Sequence, residues 1–106
     1  MSKCFTENKP RYMTKGIEQR MPMEYQFLIW NYIDELRESF ELDYLQVFDF
    51  SIENHSGTKI QCIEHSQEVP EYNKIHKISN PNQTITGKVF VIDDSDYCTM
   101  LWATEY

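Results

Sequence analysis

Three aspartates in the last third of the chain are the densest group of side chains that could do chemistry. Asp93, Asp94 and Asp96 follow a β-rich run, and carboxylates gathered at the end of a strand can bind Mg²⁺ or Ca²⁺. Such a site would indicate a carboxylate metal-dependent hydrolase. Neighbouring side chains on a strand point to opposite faces, however, and Asp and Ser also stabilise turns through local hydrogen bonds. We interpret these aspartates as turn residues and keep the hydrolase as an alternative function.

Other residues that often catalyse reactions are scattered. Cys62 and His65 are an odd number of positions apart in a predicted strand, so their side chains should face opposite ways. The three glycines match none of the spacings GxGxxG, GxxxxGK or GxSxG that build phosphate loops and nucleophile elbows. The three cysteines form no CxxC pair, so neither a disulfide framework nor a structural zinc site is indicated. We expect no enzymatic activity, no cofactor and no bound metal.

Residues 22–40 show the clearest helical periodicity in the chain. Apolar residues recur there at i, i+3, i+4 and i+7 and define one face, which we expect to pack on a sheet. The face consists of Tyr25, Leu28, Ile29, Tyr32, Ile33, Leu36 and Phe40.

A second row of large side chains lies roughly opposite this face. It consists of Met23, Phe27 and Trp30 and continues into Asp34. One interpretation is that the basic N-terminal segment folds over the row. The other is that the row contacts a partner or a second copy of the chain, since aromatic residues and Met are enriched in interface cores.

Acidic loops supply further candidates for protein contact. We interpret residues 67–81 as a long connection. Within it, Tyr72 follows the acidic residues Glu68 and Glu71. Tyr anchors many interfaces. We therefore include this loop and the aspartate turn at residues 93–96 among the candidate binding residues.

The charge of the chain is unevenly distributed. The net charge is −7, but residues 1–20 carry five basic and two acidic residues, whereas the remainder carries five basic and fifteen acidic ones. Residues 21–106 therefore have a net charge of −10, which repels nucleic acid and attracts basic protein surfaces. We expect no direct binding of nucleic acid. The alternative interpretation is that the acidic charge only keeps the protein soluble.

A single domain of 106 residues is expected, with residues 1–10 forming a loose N-terminal segment. Alternating apolar residues predict strands at residues 11–17, 44–52 and 58–64, and residues 84–106 are predicted to form two β-rich runs about a turn at residues 93–96. The predicted fold is a two-layer α+β domain, with one long helix at about residues 22–40 packed on a four- to five-stranded, mainly antiparallel sheet. No stretch approaches the ~20 apolar residues of a membrane span, so we expect a cytoplasmic protein that does not bind membranes.

Five sequence blocks occur in a recognisable order between Arg11 and Tyr106. They are RYMTKGI, PMEYQFLIWNYIDEL, DYLQVFDFSI, QEVPEY and VFVIDDSDYCTMLWATEY. In this order the chain resembles a family of small uncharacterised proteins of Gram-positive bacteria, catalogued as a domain of unknown function and often carried on phages and conjugative elements. The resemblance implies no catalytic residue.

The resemblance does imply a biological context. Compact acidic proteins of mobile elements are frequently inhibitors that bind basic nucleic-acid sites on host effectors, including CRISPR nucleases. By this analogy we predict a non-catalytic acidic module that binds a basic, nucleic-acid-handling bacterial protein, such as an anti-CRISPR protein. A housekeeping protein that self-associates, for example as a homodimer, is the other alternative beside the hydrolase.

Overall fold

The computed structural model describes residues 4–6 and 8–106, which form one mixed sheet with helices on one side. The sheet has six strands in the spatial order β1-β6-β5-β2-β3-β4. The elements in chain order are β1 (Arg11–Met13), α1 (Lys15–Arg20), α2 (Met23–Ser39), β2 (Leu45–His55), β3 (Thr58–Gln67), β4 (Tyr72–Ser79), β5 (Gly87–Asp93), β6 (Cys98–Trp102) and a 3₁₀ turn (Ala103–Glu105).

The predicted fold class, one long helix on a four- to five-stranded, mainly antiparallel sheet, is wrong. Six strands are present, and the sheet is mixed because β1 runs parallel to β6. The predicted connection at residues 67–81 contains β4, whose two faces both combine lysine with apolar residues, a composition typical of an edge strand. β1 lies within the predicted strand at residues 11–17, but that prediction is wrong from residue 15, where α1 begins. The helix α2 spans 17 residues and covers only part of this wider sheet.

The core lies between α2 and one face of the sheet. Tyr25, Ile29 and Ile33 are fully buried against strand residues that include Phe48 and Phe50. The ring of Tyr25 meets that of Phe50 edge to face, with centroids 5.7 Å apart. This helix-facing side of the sheet therefore provides the hydrophobic stabilisation of the fold. No helix in residues 4–6 and 8–106 is long and apolar enough to span a membrane.

Buried glutamines fill positions on the same side that the helix does not reach. Gln46 donates from Nε2 to Oε1 of Gln67 (2.7 Å) and to the carbonyl of Asp43 (2.9 Å). Gln67 in turn donates to the carbonyls of Glu41 and Pro70. These bonds connect the buried amides to backbone carbonyls of the loops before β2 and after β3, so the buried glutamine side chains have hydrogen-bond partners.

The imidazole of His65 completes this network. Its Nε2 lies 2.7 Å from Oε1 of Gln46, and because an amide oxygen only accepts, the ring nitrogen donates. The ring stacks on Phe48 at a centroid distance of 4.2 Å. Burial lowers the pKa of His65 to about 3, with a smaller contribution from His76. His65 is therefore held as a neutral, hydrogen-bonded core residue.

The expected loose segment at residues 1–10 falls partly on residues 1–3 and 7, which lie outside the described residues. Of the others, Phe5 is fully buried in the core, and Arg37 donates to its carbonyl. The ammonium of Lys9 lies 2.9 Å from the carboxylate of Asp93. Residues 4–6 and 8–10 are thus in contact with both layers.

The second side of the sheet, which we call the open face, has no helix packed on it within the described part of the chain. The strand register places a group of apolar side chains there, and none of them belongs to the core cluster. Tyr106 covers part of the face through an edge-to-face contact with Phe90, with centroids 5.6 Å apart. The apolar group consists of Leu45, Val47, Phe90, Ile92 and Leu101.

Protein stability should fall in mildly acidic solution because of His65. The folded-state pKa of about 3 lies below the ordinary value of 6.5, so between those values the unfolded chain binds a proton that the folded chain excludes. The free energy of unfolding should decrease as pH falls below 6.5, by up to about 1.4 kcal/mol per pH unit for one such group. Urea unfolding between pH 7.5 and 5 measures the slope.

His65→Gln, which keeps a donor near Gln46, should flatten this slope. The exposed His55 gives the matched control, and His55→Gln should retain the wild-type slope. The pKa of His76 is also lowered by burial, so part of the slope should remain in the first variant. A slope equal to that of the wild type in His65→Gln would contradict the assignment.

Candidate functional site

The solvent-facing side of α2 carries most of the candidate residues. We call this side the helix outer surface. The helix begins after Pro22, has Glu24 in its first turn and Arg37 in its last turn, and so complements the helix dipole at both ends. The helix outer surface consists of Met23, Glu24, Phe27, Asn31, Asp34, Glu35 and Glu38.

Two large apolar side chains project from the N-terminal half of this surface. Met23 is 66% exposed and Phe27 is 62% exposed. They are neighbours at i and i+4 on the helix, and Glu24 lies beside them. Folding does not explain these two residues, because they contribute little to the buried area.

Trp30 and Asp34, which continue the same row, are covered instead. The guanidinium of Arg11 in β1 lies over the Trp30 ring, 4.6 Å from its centroid. Arg11 also forms an ion pair with Asp34, and Arg37 pairs with the same carboxylate at 3.0 Å. The row is therefore divided: the N-terminal segment covers one half, as the first interpretation expects, and the other half is exposed.

A polar groove lies next to this cluster of charges. It has a volume of about 470 Å³ and is lined by three carboxylates and two guanidinium groups. The side chains of Glu35 and Glu38 are exposed at its rim. A groove of this composition can accept a lysine or arginine side chain of another protein. The lining residues are Arg11, Asp34, Glu35, Arg37 and Glu38.

Sequence reasoning missed the role of Arg11. It treated this residue as part of a basic segment, and the contact with Trp30 depends on β1 pairing with β6 at the far end of the chain. The only signal was the clustering of basic residues before an acidic body.

The candidate residues around Tyr72 also differ in exposure. Glu68 and Glu71 are exposed in the turn between β3 and β4. Tyr72 begins β4 and packs against Phe40 and His65, with both centroid distances at 5.4 Å. Tyr72 is therefore half-buried against the core, whereas Val69, between the two carboxylates, is 73% exposed.

The three aspartates after β5 do not come together as a metal site. The Asp93 side chain is nearly buried, accepts a hydrogen bond from the Cys98 thiol at 3.1 Å and pairs with Lys9. Asp94 and Asp96 are exposed. Among residues 4–6 and 8–106, no group of three or more His, Cys, Asp or Glu residues could hold a metal ion.

Cys98 beside this ion pair is a poor nucleophile. Burial, together with its hydrogen bond to Asp93, raises the pKa of its thiol to about 12. The pKa of Cys62 is raised by burial as well. Thiolates are the reactive form of cysteine, so neither residue favours covalent chemistry.

A small cavity between α2 and β4 was not anticipated from the sequence. It measures about 160 Å³ and includes Tyr32, Tyr72, Lys74 and His76 in its lining. The rings of Tyr32 and His76 stack with centroids 3.7 Å apart. The stacked rings close the core at the edge of the sheet that α2 only partly covers.

Comparison with known proteins places the chain in a family. The model of the family described as "Staphylococcal protein of unknown function (DUF960)" matches residues 10–105. The chain belongs to this family. The family covers Arg11, the whole of α2 and all six strands, so the helix outer surface lies within the family domain.

A solved structure has the same fold. The crystal structure of a protein of unknown function from Enterococcus faecalis superposes with a TM-score of 0.77, at 24% sequence identity, over 100% of this chain and 98% of the other. The likeness shows the fold alone, and neither comparison assigns a function. A search of curated proteins finds no match.

Removal of the Arg11 side chain should uncover Trp30. In Arg11→Ala the indole loses its stacked guanidinium and Asp34 loses one of two cationic partners, so we expect a loss of about 1 kcal/mol in unfolding free energy. Tryptophan emission should shift to longer wavelength. Urea unfolding followed by fluorescence, at low and high ionic strength, measures both effects.

The matched control is Arg20→Ala, which removes a guanidinium 4.5 Å from the centroid of the Trp102 ring. The loss of unfolding free energy in Arg20→Ala should depend less on ionic strength than the loss in Arg11→Ala. The reason is that Arg11 forms an ion pair with Asp34 in addition to its contact with a tryptophan ring. Unchanged emission and stability in Arg11→Ala would show that the arginine does not hold the helix.

Proposed function

We propose that the protein is a non-catalytic binding module that uses the helix outer surface to bind a basic surface of another protein. The observation that carries the proposal is the exposure of Phe27 and Met23 within an acidic helix face. Interface cores are enriched in aromatic residues and Met, and surrounding charges set the choice of partner.

The distribution of charge supports a basic partner. Glu24 is exposed beside the apolar pair, and Glu35 and Glu38 are exposed farther along the same helix. Exposed carboxylates attract cationic surfaces before contact is made. The two apolar side chains would then supply the contact that excludes water. Binding should be steered electrostatically and held by the apolar pair.

The narrower form of this proposal is an inhibitor that occupies the nucleic-acid channel of a bacterial effector, such as a CRISPR nuclease. Its support is the acidic charge of the helix outer surface, which resembles that of a phosphate-bearing ligand. The narrower form is tested by adding the protein to purified CRISPR nucleases of Gram-positive bacteria. Cleavage that is unaffected by the wild type would reject it and leave the broader proposal to the binding test below.

Substitution of Phe27 should abolish binding without unfolding the protein. Phe27→Lys removes the apolar anchor and introduces the partner's own charge, and we expect at least about a tenfold loss of bound partner. Because Phe27 is largely exposed, the unfolding free energy should change by less than about 0.5 kcal/mol. The measurement is affinity capture from a lysate of a Gram-positive bacterium. Mass spectrometry quantifies the same captured protein for the wild type and for each variant.

Ile52→Lys is the matched control, since Ile52 is 40% exposed on β2, outside both the helix outer surface and the open face. The proposal predicts a basic protein that is captured by the wild type and by this control, lost with Phe27→Lys and weakened at high ionic strength. Equal capture by both variants, or capture that ionic strength leaves unchanged, would overturn it.

A metal titration separates this function from the hydrolase. Since the Asp93 carboxylate is paired with Lys9, Mg²⁺, Mn²⁺ and Ca²⁺ should leave the melting temperature unchanged. A ligand present at 100 times its Kd stabilises a folded protein by about 2.7 kcal/mol, which is easily detected. A raised melting temperature that Asp93→Asn abolishes would favour the hydrolase.

A further inference from the structure

The open face is an apolar surface that residues 4–6 and 8–106 cover only in part, through the contact of Tyr106 with Phe90 and the burial of Leu101 to 9% exposure. Val47 lies opposite Phe90, and Leu45 lies opposite Ile92, in the ladder between β2 and β5. Leu101 of β6 lies beside Phe90. Side chains directly opposite on adjacent strands share a face and contact one another. These residues therefore form one continuous patch at the centre of the sheet.

The surroundings of this patch extend it toward the β1 edge. Tyr12 and Tyr97 meet edge to face with centroids 5.6 Å apart, and both are exposed. Tyr is frequent in interfaces because its ring is apolar and its hydroxyl is polar. An apolar centre with a rim of tyrosines is typical of a surface that another protein covers.

The charge of the open face differs from that of the rest of the molecule. Strand register places three carboxylates and two ammonium groups on it. Lys77 pairs with Glu53 at 3.2 Å, and Lys88 lies opposite Asp49 in the ladder between β2 and β5. Charge is therefore nearly balanced here, in a chain with a net charge of −7. The five residues are Asp49, Glu53, Glu64, Lys77 and Lys88.

Balanced charge indicates which partner fits. A basic partner would be attracted to the helix outer surface, not to this face. Two copies of an acidic chain repel each other unless the surfaces that meet are nearly neutral and carry both signs. In a two-fold dimer each residue i meets residue j of the other copy and vice versa, so a face with both signs can complement itself.

The size of the face is also sufficient. The molecule measures 48 × 29 × 21 Å. A stable interface needs about 800 Å² from each partner, which is less than the area spanned by the two larger dimensions. Two sheets packed face to face lie about 10 Å apart and bury the side chains between them.

We propose that two copies of the chain associate through their open faces, with Leu45, Val47, Phe90, Ile92 and Leu101 at the centre. The dimer has four layers, with the two sheets inside and the α2 helices outside. Both helix outer surfaces stay accessible in this arrangement. Self-association thus uses a different surface from the Met23, Phe27 and Trp30 row to which the sequence assigned it.

Sedimentation velocity over concentrations from about 1 µM to about 1 mM tests the dimer. The wild type should sediment as a dimer at the upper concentrations. Val47→Lys should shift the monomer-dimer equilibrium toward monomer by at least about a hundredfold in Kd. Val47→Thr, which preserves the β-branched shape, should weaken the dimer less. Circular dichroism and melting temperature of each variant show whether it remains folded.

Phe27→Lys is the matched control, because it alters an exposed apolar residue on the opposite side of the molecule. Phe27→Lys should leave the Kd of the monomer-dimer equilibrium unchanged. A wild type that is monomeric at about 1 mM would overturn the proposal. So would a dimer that both folded Val47 variants leave unchanged, or one that Phe27→Lys dissociates. These outcomes are independent of the capture experiment, because that experiment measures binding of another protein and sedimentation measures self-association.

Discussion

The 17-residue helix α2, with only the short α1 beside it, must cover a six-stranded sheet, and the rest of the structure follows from that mismatch. A helix of 17 residues is about 25 Å long and about 10 Å wide. Ile17 of α1 and Phe5 are fully buried in the same core, and the rings of Tyr32 and His76 stack at its edge. Gln46, Gln61 and Gln67 hydrogen-bond to the loops around the strands. Buried polar side chains thus complete an interior that α2 alone does not fill.

The two sides of the molecule consequently differ in character. The helix side exposes carboxylates and a small apolar pair, whereas the open face carries a group of partly buried apolar residues in a nearly neutral setting. Charge attracts partners over distance, and apolar area stabilises contact once it is made. A protein with both kinds of surface can combine a stable contact on one side with a salt-sensitive contact on the other.

Only the strongly periodic elements could be predicted from the sequence. The core-facing residues of α2, and the shared face of Gln46, Phe48 and Phe50 in β2, follow from spacings of 3.6 and 2. The strand β4 could not be found because lysines interrupt both of its faces. The contact of Arg11 with Trp30 depends on a parallel pairing that no local pattern encodes. The predicted binding row stays a prediction, and the structure shows that Met23 and Phe27 are exposed whereas Arg11 lies over Trp30.

The pairing of β1 with β6 joins residues from opposite ends of the chain, with Arg11 next to Cys98. Arg11 in turn lies over Trp30 and pairs with Asp34 of α2. One side chain of a three-residue edge strand thus connects the sheet to the exposed side of the helix. The position of β1 therefore sets how much of the row from Met23 to Asp34 is open to solvent.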